Sequence, residues 1–221
     1  MRHALITLVA LFTVACSMVS AHTTIDTLNV TQRDIVAIAA CTGSGDQENL
    51  RPALAKGLDN GMTICEIREV LIHAYAYCGF PRSLRAIQTF MAVLADRKAH
   101  GVNDTWGKDA SPTTDSLSRY ERGRLTLQEI SGMPTDAPKA GYAEFAPAIE
   151  RFLKEHLFAD LFERDVLTHA QRELATVAVI ASLGESVRPM LLGHMNICRL
   201  LGYSQPQLDE ALNIANQTQK Q

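Results

Sequence analysis

Beyond residue 21 the apolar positions recur at intervals of three and four, and no stretch alternates with the period of two that a half-buried strand needs. Between Thr63 and Cys78 the residues Ile64, Ile67, Val70, Leu71, Ala74 and Cys78 fall on one helical stripe. Thr63-Ile64-Cys65-Glu66 has the spacing of a capping box, in which hydroxyl and carboxylate satisfy free amides at a helix start. Gly79 supplies a stop, Pro81 fits the first turn of a following helix, and Leu84, Ile87, Phe90, Met91 and Leu94 carry that helix towards Gly101. The pattern predicts an all-α protein.

The punctuation of these helices recurs. Thr31-Gln32-Arg33-Asp34 opens an apolar helix that stops near Gly43, Arg51-Pro52 begins or kinks a second, Gly61 ends it, and Thr63 caps a third. Later, Thr168 opens an apolar helix stopping at Gly184, Arg188-Pro189 enters another, Gly202 ends it, and Ser204 caps a third. The spacing from cap to Arg-Pro is the same in both passages, and so is that from glycine to third cap. Two copies of one helical unit are therefore expected, over residues 22–100 and 165–221. A connector, residues 101–164, separates them: a Gly-, Asp-, Thr- and Ser-rich loop, a short helix near 118–130, breaks at Pro134 and Pro138, and an amphipathic stretch over 142–167.

Residues 1–21 read as an export leader. A short basic start precedes the apolar run from Ala4 to Ala15, and Val19-Ser20-Ala21 offers small residues for cleavage. Export to the periplasm is expected, with lipidation at Cys16 the alternative. No other stretch has the length of a membrane span. The 221 residues are 47% hydrophobic and carry 21 Lys and Arg against 24 Asp and Glu. That near-balance, without a basic run, makes nucleic acid a poor partner. The five cysteines contain no CxxC pair.

Several of these segments resemble the carboxymuconolactone decarboxylase family, which includes the alkylhydroperoxidase D-like proteins. The likeness is carried by Arg172-Glu173-Leu174 opening an Ala-rich helix, by His194 in the next, by Gly202 before a polar helix start, and by Tyr77-Cys78-Gly79-Phe80-Pro81-Arg82 after Glu66-Ile67-Arg68-Glu69-Val70-Leu71. It covers Thr31 to about Leu94 and about Asp165 to Leu212. The resemblance implies an all-helical fold, trimers or hexamers with sites at subunit or repeat interfaces, and either decarboxylation of a carboxylated lactone or thiol-based peroxide reduction. Glu173 and His194 match the relay positions of the peroxidase members. The dithiol of those members is missing, because the aligned helix holds Cys198 alone, four residues after His194. A lone cysteine lacks the neighbour that resolves the oxidised sulfur.

The copies look complementary, since Ala53 stands where the second copy has His194. A site assembled from both would draw Glu69, His73, Tyr77 and Arg82 from the first and Glu173, His194 and Cys198 from the second. Glu66, Glu69, His73 and Tyr77 share one helix face, which without the family would read as a solvated surface. In the decarboxylase reading Arg82, with Tyr77, binds a carboxylated small molecule, and His194 or Glu173 moves a proton; imidazole suits this because its ordinary pKa is about 6.5. In the peroxidase reading His194 activates a thiolate at Cys198. A non-catalytic helical assembly module is the third possibility. His73, His194 and the carboxylates lack zinc-like spacing, so neither metal nor other cofactor is expected.

Overall fold

The computed structural model describes residues 26–134 and 139–217. The expected leader, including Cys16, lies outside the described residues, as does Pro138. The described chain is all-α, with helices α1 (Val30–Ser44), α2 (Gln47–Asp59), α3 (Ile64–Ala99), α4 (Arg119–Ser131), α5 (Tyr142–Phe145), α6 (Pro147–Phe152), α7 (His169–Ser182), α8 (Arg188–Leu200) and α9 (Gln205–Gln217). A π-helical stretch, Leu153–Leu161, continues α6, and a single 3-10 turn, Glu185–Val187, leads into α8.

Local chemistry explains most of the boundaries. Thr63 and Glu66 form the expected capping box, and Thr168 forms another with Gln171. The first helix begins two residues earlier than its Thr31 signal, because Asn29 and Gln32 make the reciprocal cap instead. The second helix is capped by Asp46, so Pro52 sits inside it rather than at its start. The amide missing at Pro52 would have served the Glu48 carbonyl on a face open to solvent, which makes the loss tolerable. Gly79, at φ 80° and ψ 162°, breaks the long α3 into two arms. A side chain at that φ would be strained, so glycine is what lets the chain turn there.

Helix α7 is the centre of the fold. It packs against α1, α3, α8 and α9 and is covered nearly all round, with Leu174, Val177, Ala178 and Val179 fully buried. Gly43 at the end of α1 lies close against α7, where an added Cβ would stand 3.0 Å from the Val179 carbonyl oxygen. A second core cluster, Ile130, Leu157, Phe158, Leu161 and Phe162, joins α4 to the π-helical stretch. Their crossing is so tight that a Cβ at Gly123 would stand 1.7 Å from the Lys154 carbonyl oxygen. Among the described residues no helix is long and apolar enough to cross a membrane.

Candidate functional site

The burial of α7 forces its polar residues to find partners inside the protein. Arg172 and Glu173, in its first turns, are both fully buried. Glu173 Oε2 accepts a hydrogen bond from His194 Nδ1 at 2.7 Å. The imidazole comes from α8, which buries Met195 and Cys198 and leaves His194 half-buried at the edge, 17% exposed by side chain. A histidine anchored from beneath by a buried carboxylate has one nitrogen fixed and the other free to exchange protons.

Two turns of α3 complete the surroundings. The Tyr77 ring meets the His194 ring edge-on, centroids 5.7 Å apart, and His73 lies 5.4 Å from Tyr77 and 5.3 Å from Phe162. His73 Nε2 stands 2.8 Å from the Thr176 hydroxyl on α7. That hydroxyl donates to the Arg172 carbonyl at 2.9 Å, so Nε2 is the protonated nitrogen and Nδ1 carries the lone pair. Burial, then the positive Arg172 and the neighbouring His194, holds the His73 pKa well below the usual imidazole range, and the ring is neutral. The Tyr77 phenol is pushed above its ordinary value by burial and by the Glu173 charge.

Glu69 is placed differently from His194 and Glu173. Its carboxylate accepts from Arg164 Nε at 2.7 Å, Arg164 Nη2 at 3.0 Å and Arg172 Nη2 at 2.8 Å. Burial alone would raise its pKa, but the hydrogen bonds and charges of the two arginines outweigh it and hold the carboxyl below its usual range. The Glu69-His73-Tyr77 stripe is thus the inner face of α3 rather than a solvated one. Only Glu66, the first residue of that series, is spent on the helix cap.

Arg82 and Cys198 are engaged in other ways. Arg82, on the second arm of α3, is exposed and donates to the Gly43 carbonyl at the end of α1, a favourable place for a cation. Cys198 is fully buried, and burial followed by the Glu173 charge pushes its thiol far above the ordinary value. Cys41, Cys65 and Cys78 are free thiols as well. Among the described residues no group of three or more His, Cys, Asp or Glu side chains could hold a metal ion. The structure therefore joins Glu69, His73, Tyr77, Glu173 and His194 along one α3, α7 and α8 seam.

Three participants carried no assignment in the sequence reading. Arg172 belongs to the Arg-Glu-Leu motif, and the family resemblance gives a role only to the glutamate beside it. Thr176 follows Arg172 by four and Glu173 by three, so helical spacing could have found it. Arg164 precedes α7 and had no periodic signal.

The profile of the carboxymuconolactone decarboxylase family matches residues 19–90. That segment is roughly a third of the chain and contributes Glu69, His73, Tyr77 and Arg82, whereas Glu173 and His194 lie beyond it. No curated protein matches the chain significantly.

Proposed function

We propose that the protein is a carboxymuconolactone decarboxylase-like enzyme that performs proton-transfer chemistry on a small carboxylated substrate, with His194 as the acid–base group and Glu173 as its anchor. The observation that carries this reading is the 2.7 Å bond from a partly open imidazole to a fully buried carboxylate. In a decarboxylation the bond to the carboxylate carbon breaks, carbon dioxide leaves, and its electron pair stays on the substrate as an enolate. A proton from His194 Nε2 then forms the new C–H bond, and the imidazole takes a proton back from water. Substrate anchoring is assigned to Arg82, whose exposed guanidinium would exchange the Gly43 carbonyl for the substrate carboxylate.

The family match over residues 19–90 and the all-α fold support the reading. The two-copy organisation rests on the recurring order of cap, glycine stop, Arg-Pro and second glycine; the observed cap at Asn29 stands two residues further from Arg51 than Thr168 does from Arg188, so the equal spacing expected from Thr31 does not hold. Export to the periplasm rests on the leader pattern of residues 1–21. A homo-oligomer, a trimer or hexamer by family likeness, is supported by α8, which leaves Met190, Leu192 and Leu200 exposed on the helix that carries His194. The thiol-peroxidase alternative needs a thiolate at Cys198, and burial together with Glu173 keeps that sulfur protonated.

The test is His194→Gln assayed for carbon dioxide release from carboxylated lactones and for peroxide consumption. Loss of roughly 100-fold or more in decarboxylation with an unchanged assembly is the expected outcome. Full activity in the variant, or peroxide turnover that disappears in Cys198→Ser, would overturn the assignment.

A further inference from the structure

Among the described residues, five fully buried side-chain polar atoms make no hydrogen bond of good geometry: His73 Nδ1, Arg172 Nε, Arg172 Nη1, Glu173 Oε1 and the Tyr77 hydroxyl, which lies against Thr176. They are not scattered. All five belong to the facing stripes of α3 and α7, where Glu69 meets Arg172 and, one turn on in both helices, His73 meets Thr176. The Tyr77 side chain leans back towards the start of its helix, which brings its hydroxyl beside Thr176 and within the field of Glu173 and Arg172.

We propose that the seam between α3 and α7 is an internal water site, in which buried water joins Tyr77, His73 and Arg172 to the free Oε1 of Glu173 and so fixes the carboxylate beneath His194. The five atoms form a mixed set: Arg172 supplies donors, His73 Nδ1 and Glu173 Oε1 are acceptors, and the Tyr77 hydroxyl is either. Water serves both kinds at once, whereas an anion serves only donors. The charged groups around the seam are also already paired, Arg164 and Arg172 with Glu69 and His194 with Glu173. Within Arg172, Nε and Nη1 flank the Nη2 already bonded to Glu69 and to the Arg164 carbonyl, so no paired fork is open to an anion. Tyr77 and Arg172 are in this account positioning residues. They reach the reacting nitrogen only through Glu173.

The inference deepens the acid–base reading of His194 and rests on it for its functional half. A crystal structure of the full protein at a resolution that orders solvent should place water within hydrogen-bonding distance of Glu173 Oε1 and Tyr77. Water-to-ring nuclear Overhauser effects at His73 and Tyr77 test the same contact in solution without any variant. Tyr77→Phe should lose the water beside Glu173 and lower kcat roughly tenfold or more with KM unchanged, as a misaimed general acid does. A dry seam, an anomalous bromide peak at Arg172 after a halide soak, or an unchanged kcat in Tyr77→Phe would overturn the inference. A dry seam with turnover that still needs His194 sinks this inference alone, whereas ordered water with turnover indifferent to His194 sinks the acid–base reading.

Discussion

Replacing Glu69 by Gln should destabilise the protein strongly, whatever it does to turnover. The carboxylate is almost wholly buried, Arg172 is fully buried, and three hydrogen bonds of 2.7 to 3.0 Å join Glu69 to Arg172 and Arg164. An amide keeps one acceptor oxygen but removes the charge, which strands the Arg172 guanidinium in the core. Breaking a buried pair on one side costs about 3–5 kcal/mol. Arg164 is a third exposed and can turn to water, so the cost arises chiefly at Arg172. At about 2–4 °C per kcal/mol for a chain of this size, the melting temperature should fall by roughly 10 °C. Acid acts through the same group. The folded carboxyl titrates below its usual range, so its contribution is complete above the ordinary glutamate value and fades as pH falls through the lowered one. Thermal denaturation of the parent and of Glu69→Gln at neutral pH and in acid well below the ordinary glutamate value measures both effects, and the gap between the two proteins should narrow only in that acid. An unchanged melting temperature at neutral pH would refute the argument and return Glu69 to the candidates for chemistry.

Three other outcomes follow from the packing. Gly123→Ala would set a methyl 1.7 Å from the Lys154 carbonyl oxygen; overpacking of up to ~3 kcal/mol or more should exceed the ~1 kcal/mol that alanine gains in a helix, and a stabilised variant in urea denaturation would contradict this. Burial would raise the Glu150 pKa, but hydrogen bonds from Lys154, Lys139 and Tyr120 bring it down to about 2. Its contribution should therefore persist above the usual glutamate range and be lost as pH falls towards 2, an acid limb that Glu150→Gln should flatten. Cys41, held at about 12, Cys65 and Cys198 are buried thiols, so among the described cysteines a thiol reagent should modify the half-buried Cys78 first in the native protein, and equal rates would count against the packing described.

The helical class, the Thr63 and Thr168 caps, the break at Gly79 and the helix near 118–130 were legible because each depends on residues within one or two turns. Asn29 was also visible in principle: it stands three residues before Gln32, whose longer side chain reaches back to the cap amide, whereas Thr31 stands three before the shorter Asp34. The buried character of Glu69, His73 and Tyr77 was not legible. Periodicity shows that they share a face, but what covers that face is α7, about a hundred residues further on, and a stripe with two glutamates has the composition of a surface. The Glu173 to His194 contact joins neighbouring helices and was accessible through family likeness. The bond from Arg82 to the Gly43 carbonyl was not legible either, because it joins the end of α1 to a residue 39 positions further on.

The π-helical stretch from Leu153 to Leu161 closes its turns with bonds such as that from the Phe162 amide to the Leu157 carbonyl, five residues back. Each such turn holds one residue more than an α turn. It is therefore the place where the chain can shed a residue without breaking the rod. Residues beyond a deletion in an ordinary helix swing by about 100°, which would turn Phe162 away from His73. A deletion that converts one wide turn to a narrow one leaves both ends in phase. In relatives, length variation in this segment should keep the aromatic that follows it facing the same way, and that phase is what comparison of such chains ought to track.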